Sequence, residues 1–505
     1  MQQDPKLKRP VVYSCSGSTH AGQLANSIAV RLSGEGIAEM SCIAGVGGKV
    51  EPLLGAAASG RKIIAIDGCS LGCSKVCLLQ NKLTPDIHID LSDWGVDNKD
   101  HIAVSQRETD LLLQKVKDVI GVDRLEVKPG LADAIEVREI SGKKQLKQFI
   151  DLPYRLYQGN PYYVPQLKRD VAATFDPAKN PALEFCEARY WMAYRKGVAV
   201  GRIAGIINHA YIRTWGKKMM RFGWMDMEND PAIAKALLAE VEKWAKEKGM
   251  EGVHGPLGFT NFDYAGFLTR GYDQKGTFAT IYNYPYYITA LEAAGYAGEV
   301  DWVEYKIRMP EKPTERLIKL AGIVEKRNNL KIVRALKTKA LLKYGKDIFT
   351  LINEAYEGLF GFVPLNEKQI AYNTRKYLTF IRPEYVSIVL DKDDKLAAFG
   401  ITMPSLSDAL QKAGGQLYPT GFLHMLRAFG KNQFADLLLV AVRKDLQGKG
   451  LNAILMNELS ISYINKGIRF AESNPELEEN VKVQALWQYF DAEQHKRRRC
   501  YIKQL

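Results

Sequence analysis

Three of the seven cysteines in 505 residues fall in AIDGCSLGCSKVCLL, at Cys69, Cys73 and Cys77. Residues four apart share a helix face, so Cys73 and Cys77 lie together if CSKVCLLQ is helical, with Cys69 at its N-terminal entrance. A helix N-terminus lowers a thiol's pKa and favours the thiolate, the form that binds a metal. Cys15 and Cys42 would bring enough sulfur for tetrahedral zinc, although the three-residue spacers are not those of a zinc ribbon. Redox thiol chemistry, or packing of cysteine as a small apolar side chain, accounts for the same spacing. Spacing alone leaves the three readings open.

A second chemical feature is LLLVAVRKDLQGKGLNAILMNEL, an apolar strand that passes through a glycine-rich turn into a helix. Glycines let backbone N–H groups approach a phosphate, and the helix N-terminus adds partial positive charge, which suits a pyrophosphate. Walker spacing and a second βαβ half are both missing, which disfavours a nucleoside triphosphate or a dinucleotide.

The elements that must position these groups divide the chain. Up to about residue 120, strand-like VVYSCSG, EMSCIAGVGG, KIIAIDGC and DIHIDLSDWG alternate with helix-like stretches. That pattern predicts a parallel sheet covered by helices, with ligands beyond the carboxyl ends of the strands. Cys15, Cys42 and Cys69 each stand at or just past a strand end and would face one crevice. From about residue 133 the pattern becomes an internal repeat. IEVREI at 135 resembles LKIVRAL at 330, and YWMAYRKGVAVGRIAG at Tyr190 resembles YVSIVLDKDDKLAAFG at Tyr385. In each copy a strand, a helix and a long strand follow, so two α+β domains in tandem are expected.

Length and composition agree with such an arrangement. At about 150 residues per domain the chain suggests three units, placed at 1–130, 131–315 and 316–505. A hydrophobic fraction of 46% with 25% charged residues belongs to a folded chain. With neither a signal peptide nor a run of about 18 apolar residues, a cytoplasmic location with reduced thiols is expected. The net charge is +13, and its excess lies beyond residue 130, ending in HKRRRCYIKQL. A phosphate-bearing cofactor, an acidic lipid surface or a solvated basic face would each suit it. No zinc-finger, helix-turn-helix or ribonucleoprotein motif supports specific nucleic-acid binding.

CSGSTHAGQLANSIAVRL, MSCIAGVGG and AIDGCSLGC together resemble the DGC-type domain, a small bacterial domain named for its Asp-Gly-Cys motif and regarded as zinc-binding. The resemblance spans roughly residues 9 to 120 and implies Zn2+ ligands at Cys15, Cys42, Cys69 and Cys73. Cys77 is the less certain member, and Asp67 would be an acceptor behind the ligands or a turn residue.

The glycine turn resembles the coenzyme A loop of GNAT acyltransferases, whose pattern Gln447 and Gly450 match, with Asn452 where Gly or Ala is usual. The resemblance implies that Gln447, Gly448, Lys449, Gly450 and Asn452 hold acyl-coenzyme A and that strand carbonyls up to Val442 pair with its pantetheine arm. It further implies a role for Asn480, ahead of a helix that carries Trp487 and Tyr489. Acyl transfer to an amine needs a base and an acid, for which Glu472 and either Tyr489 or Tyr501 are the candidates. The first copy lacks the glycine turn. Its HGPLGFTNFDYAGFLTRGYD, YNYPYYITALEAAGY and GRIAGIIN resemble uncharacterised bacterial GNAT-related proteins. By analogy with Fem-type aminoacyl transferases and N-myristoyltransferases, whose tandem domains divide donor and acceptor binding, His254, Asn261, Asp263, Tyr264, Asn283 and Tyr287 would line an acceptor or acyl pocket. The same residues could equally pack between copies and hold loops.

The reading that follows is an N-acyltransferase moving an acyl group from acyl-coenzyme A to a small-molecule or lipid-like amine, with room for peripheral membrane contact and a thiol-rich domain in front. The alternative is a non-catalytic sensor or scaffold governed by metal or thiol state.

Overall fold

Strands VVYS and IIAID carry no polar alternation, the pattern of strands covered on both faces, and all nine residues are buried. The computed structural model describes residues 9–97, 104, 106–121, 134–334, 337–430, 432–484 and 486–505. They form two compact units, 1–130 and 131–505, and the expected boundary at 130/131 lies outside the described residues.

In the first unit β1 (Val11–Ser14), β2 (Glu39–Met40), β3 (Ile63–Asp67) and β4 (Ile87–Asp90) form a parallel sheet in the order β2-β1-β3-β4. Helix His20–Gly34 packs its Leu24, Ile28 and Leu32 onto this sheet. The glycine of the Asp-Gly-Cys motif has a steric reason. A Cβ on Gly68 would stand 2.4 Å from the carbonyl carbon of Ala21 in that helix, so any larger residue would force helix and strand apart.

The second unit is one sheet of 14 strands. The first copy supplies β5 (Glu136–Glu139), β6 (Cys186–Arg195), β7 (Val198–Asn208), β8 (Met219–Met227), β9 (Gly252–Gly255), β10 (Phe267–Arg270) and β11 (Ala297–Arg308). The second supplies β12 (Lys331–Ile332), β13 (Val386–Leu390), β14 (Leu396–Pro404), β15 (Phe434–Val442), β16 (Phe470–Ser473), β17 (Glu476–Leu477) and β18 (Asp491–Gln504). Strand order is β12-β13-β14-β15-β16-β11-β18-β9-β8-β7-β6-β5, with β10 on β18 and β17 on β11. Each strand of one copy has its counterpart at the mirrored place in this order. The two motifs aligned in sequence at 135 and 330 become β5 and β12, the two ends of the sheet.

Each copy's last strand completes the other copy's sheet. β11 pairs with β16 through Lys306–Glu472, Ile307–Ala471 and Arg308–Phe470, and β18 pairs with β9 through Tyr501–Gly255 and Ile502–His254. β11 and β18 run antiparallel along nearly their full length. The two copies, separable in sequence at 315/316, are therefore one unit in space.

The seam is charged as well as hydrogen-bonded. Arg498 Nε donates to the Glu304 carboxylate and its Nη1 to the Ile281 carbonyl, with both side chains about 1% exposed or less. Lys496 Nζ donates to Glu472 and, at 2.6 Å, to the Lys275 carbonyl. Breaking such a pair from one side leaves an uncompensated buried charge. Arg498→Met should therefore lower stability by about 3–5 kcal/mol, read from urea unfolding. Adding Glu304→Leu should return part of that loss, because the orphaned carboxylate goes with it.

Candidate functional site

In the first unit Cys15 ends β1, half-buried, and its Sγ accepts a hydrogen bond from the Gly68 amide at 3.1 Å. Burial pushes its thiol up to about 11. Cys69 follows β3, and Cys73 opens helix Cys73–Gln80 and is exposed, both close enough for their charges to act on Cys15. Cys42 is the exposed N-cap of the short helix after β2, and Cys77 is half-buried one turn beyond Cys73. Asp67 is fully buried and accepts from the amides of Ser74 (2.8 Å) and Lys75 (3.2 Å) and lies 3.1 Å from His88 Nε2. It thus caps the thiol-bearing helix from outside, because the residue at the cap position, Gly72, has no side chain to do so. Among the described residues these sulfurs do not gather in a group of three within 4.8 Å of one another. Of the four expected zinc ligands, Cys15, Cys69 and Cys73 lie within reach of one another's charge, and Cys42 stands past the end of β2.

The second unit has a cleft in each copy, built the same way. β8 pairs with β9 over Met219–Arg221, then runs on to Met227 while the chain after β9 turns away. A bulge falls at the divergence, where the register shifts between Arg202 and Ala204 and Trp224 takes a φ of 43°. A positive φ on a tryptophan is strained and persists only where the surroundings impose it. Beside it is a cavity of about 70 Å3 lined by Tyr154, Tyr163, Arg202, Trp224, Tyr264 and Tyr282 among others. Arg202 is held at 2.8 Å by Asp226, which also accepts from Tyr157.

In the second copy β15 pairs with β16 over Phe434–Leu437 and continues to Val442 paired only with β14, with Leu438 as the bulged residue. The carbonyls beyond the bulge point into the gap. Leu438 O accepts from Asn474 Nδ2 (2.9 Å), Val440 O from the Tyr356 hydroxyl (3.1 Å) and Val442 O from Gln447 Nε2 (3.2 Å). Side chains thus satisfy an edge that lacks a strand.

The copies differ at the turn that follows. After β8, Asp230 caps the next helix through the Ala232 amide at 2.8 Å, Pro231 removes a donor, and Arg195 pairs with the carboxylate. The positive helix end already holds an anion. After β15, helix Leu451–Lys466 begins at Gly450 with φ 86° and no side-chain cap. Gln447, Gly448, Lys449 and Gly450 are exposed, and nothing lies within 4 Å of where a Cβ on Gly448 would be. The Ala453 amide turns back to the Gly450 carbonyl at 2.9 Å, and the amides of Leu451 and Asn452 before it have no preceding helical turn to accept from them, which suits this end to an anion.

Two carboxyls near the second cleft are poised near neutrality. Glu476, on β17, accepts from Trp487 Nε1 at 3.1 Å, and burial pushes it up to about 7. Its charge reaches Tyr356, whose hydroxyl holds Val440. Asp436 is likewise raised to about 7, by burial and by the neighbouring charge of Glu472. Glu472, the base expected from sequence, behaves in the opposite way. Burial favours its neutral form, but Lys496, with Nζ in contact, and His495, with Nε2 at 3.4 Å, outweigh it and hold the carboxyl below its ordinary range. A carboxylate committed to an ion pair is a poor proton acceptor.

The other sequence candidates separate. Gln447 to Gly450, with half-buried Asn452, converge at the open helix end. Tyr489 is half-buried under Arg316, 5.3 Å from its ring, and Asn480 lies in the turn after β17. Tyr501 is carried by the strand exchange into the first copy's core, packed with Phe222 and Tyr287, and so stands apart from the coenzyme loop. In the first copy only Tyr264 lines the aromatic cavity, while Asp263 lines a smaller polar one with Lys376. Asn283 clamps Leu268 through both its amide N–H (2.7 Å) and carbonyl (3.2 Å), and Tyr287 accepts from the Met227 amide. Asn261 accepts from the Val363 amide, and buried His254 contacts Glu299 at 3.1 Å. Asn261, Asn283 and Tyr287 thus bind backbone groups, and His254 faces a carboxylate. Glu476 escaped the sequence reading because ESNPELEE offers several carboxylates and no period that says which is buried.

Residues 11–116 match the DGC domain. The chain is 47% identical over 98 residues to "Anaerobic and virulence modulator AnvM" of Pseudomonas aeruginosa, covering 19% of this chain and 75% of that protein. It is 26% identical over 376 residues to Protein YghO of Escherichia coli (strain K12), covering 73% of this chain and 95% of that one. It is 25% identical over 302 residues to a bacterial ceramide synthase of Caulobacter vibrioides, covering 58% and 76%. Among solved structures it is similar to a tandem GNAT protein from the clavulanic acid biosynthesis pathway, with 12% identity, 74% and 98% coverage and a TM-score of 0.42.

The contrast in burial within the thiol crevice has a measurable consequence. At pH 8, iodoacetamide should label Cys42 and Cys73 at least about tenfold faster than Cys15, since the thiolate is the nucleophile. Peptide mass spectrometry of a timed labelling series reads the order. Asp67→Asn should speed labelling at Cys77 by loosening its helix.

Proposed function

Because the chain belongs through its N-terminal unit to the DGC domain family, and that match ends at residue 116, we propose that its reaction is carried by the other unit and is transfer of an acyl group to an amine. The observation that supports this reading is the asymmetry of the two copies. One helix end is filled by its own aspartate. The other is open, beside a strand edge of unpaired direction and a carboxyl poised near neutrality.

When bound, an acyl-coenzyme A supplies the acyl group as a thioester, which an amine converts to an amide with release of the thiol. The residues of the second copy fit such a donor. Lys449 and the first amides of helix Leu451–Lys466 would hold its phosphates. The carbonyls of Leu438, Val440 and Val442 would accept from its amides once Asn474, Tyr356 and Gln447 give way. Glu476 would take the proton that an attacking ammonium must lose, at its carboxylate oxygen, with Trp487 and Tyr356 keeping water from it. Because burial raises that carboxyl, it binds a proton strongly enough to be useful and is still ionised above about pH 7. The relative named a ceramide synthase supports an acceptor of one class, a long-chain amino alcohol, since a ceramide is its fatty amide.

Isothermal calorimetry with coenzyme A, acetyl-coenzyme A and palmitoyl-coenzyme A tests the donor site, and absence of heat with all three would sink the proposal. Lys449→Glu, an exposed change, should weaken binding about tenfold or more, since a charge-assisted contact is worth about 1.5–3 kcal/mol. For turnover, log kcat/KM should rise with pH and level off above about 7, as Glu476 ionises. Glu476→Gln should lower kcat by about 10²–10⁴ and remove that limb of the profile while leaving donor binding intact. A retained limb would move the base to another residue.

A further inference from the structure

Between β14 and β15 the second copy inserts two helices, Ser407–Ala413 and Gly421–Gly430. The second, GFLHMLRAFG, is apolar on both sides. Its inner face, Met425, Ala428 and Phe429, packs into a cluster that contains Leu438, the bulged residue of β15, and Val164, which lines the first copy's cavity. Its outer face presents Phe422, Leu423 and Leu426, 38%, 44% and 59% exposed, with the ring of Tyr418, 70% exposed, 6.0 Å from that of Phe422 and tilted against it. A helix apolar all round is normally buried. Here one side of it is left to solvent, while the other shares a cluster with a residue beside each cleft, Leu438 and Val164.

The rim of this face is basic. Arg382 lies 5.3 Å over the ring of Phe429, two residues from Phe380, which is 63% exposed. Arg375, Lys412 and Arg427 are exposed in the same two segments. The acid of the 405–430 segment, Asp408, is engaged by Lys275. Glu384, two residues from Arg382, lies 4.0 Å from its guanidinium and 3.3 Å from Lys466 Nζ, so both nearby carboxylates are paired. Aromatic and aliphatic side chains beside arginine and lysine then make a pattern complementary to a surface with an acyl interior and anionic headgroups. It is less suited to a protein partner, for which a hydrogen-bonding rim would be expected.

We propose that helix Gly421–Gly430, with Tyr418 and Phe380, docks this chain onto an anionic lipid bilayer. The outer side chains enter the headgroup boundary, and the arginines and lysines pair with phosphates around them. Because the inner face covers Leu438, the membrane surface lies about one helix diameter, ~10 Å, from the bulge. A lipid amine could then reach the second cleft without crossing water. The inference extends the acyl-transfer reading to an acceptor that resides in a membrane, but it is tested by binding alone, so either can fail without the other.

The full-length protein is sedimented with vesicles of phosphatidylglycerol and phosphatidylethanolamine, and separately with phosphatidylcholine vesicles. The expected result is binding to the anionic vesicles, weakened at least fivefold by 0.5 M salt and by Arg382→Gln with Arg427→Gln. Phe422→Ser, Leu423→Ser and Leu426→Ser together should abolish it while leaving the thermal transition and the calorimetric affinity for coenzyme A unchanged. Ile323→Ser, at an exposed apolar residue of another helix, should bind as the parent does. In a Leu426→Trp protein, brominated lipid should quench fluorescence. Failure of the parent to bind, or equal binding by the triple variant, overturns the proposal. So does a concentration-dependent dimer that the triple variant loses in the absence of lipid, because the occupant is then a second copy.

Discussion

The antiparallel pairing of β11 with β18 is the interaction on which the second unit depends. Each is the last strand of its own copy in sequence, and each lies beside the other copy's fifth strand in space. Without it there would be two half-sheets, each with an exposed edge at its centre, which proteins avoid. With it, the charged residues of the seam form a buried line from the first copy's Ile281 carbonyl through Arg498, Glu304, Lys496 and Glu472. That line also sets the charges around the nearby carboxylates. Glu472 is consumed by Lys496, and the carboxyls left near neutrality are Asp436 beside it and Glu476 beyond it.

The pairing makes the copies equal in topology, and local sequence then makes them unequal in chemistry. Both have a fourth strand with a bulge and a fifth strand that leaves it. In the first copy the helix end is closed by Asp230 and Pro231, and the gap is filled by aromatic rings around an Arg202–Asp226 pair. In the second the helix end is open, and the carbonyls of Leu438, Val440 and Val442 accept from side chains. A fused pair can in this way give its two clefts different linings without changing the fold.

In the thiol-bearing unit, packing explains two parts of the Asp-Gly-Cys motif before any ligand does. Gly68 is where helix His20–Gly34 touches the chain, and Asp67 caps the helix that carries Cys73 and Cys77. Cys15, Cys42 and Cys69 stand just past strand ends, with Cys15, Cys69 and Cys77 half-buried, Cys42 and Cys73 exposed, and the Cys15 sulfur hydrogen-bonded to the Gly68 amide.

Much of this was legible in the chain alone, because it rests on local rules. Apolar runs without alternation mark the parallel sheet, the matched motifs at Tyr190 and Tyr385 mark the repeat, and Gln447 to Gly450 ahead of an apolar helix mark the open turn. The strand exchange was not legible, because a strand's own pattern says which face is buried and nothing about which neighbour it pairs with. Everything that depends on that choice followed it out of reach. Tyr501 went to the first copy's core, Glu472 acquired a buried lysine, and Glu476 emerged as the carboxyl that burial, and not sequence position, brings near neutrality. Polar residues rich in chemistry, such as Asn283 and Tyr287, proved to clamp backbone, since a side-chain amide or phenol serves an orphaned strand edge as readily as a substrate. Local pattern determined the elements and the open turn; only long-range pairing decided which charges are buried together, and so which carboxyls burial raises and which a neighbouring cation lowers.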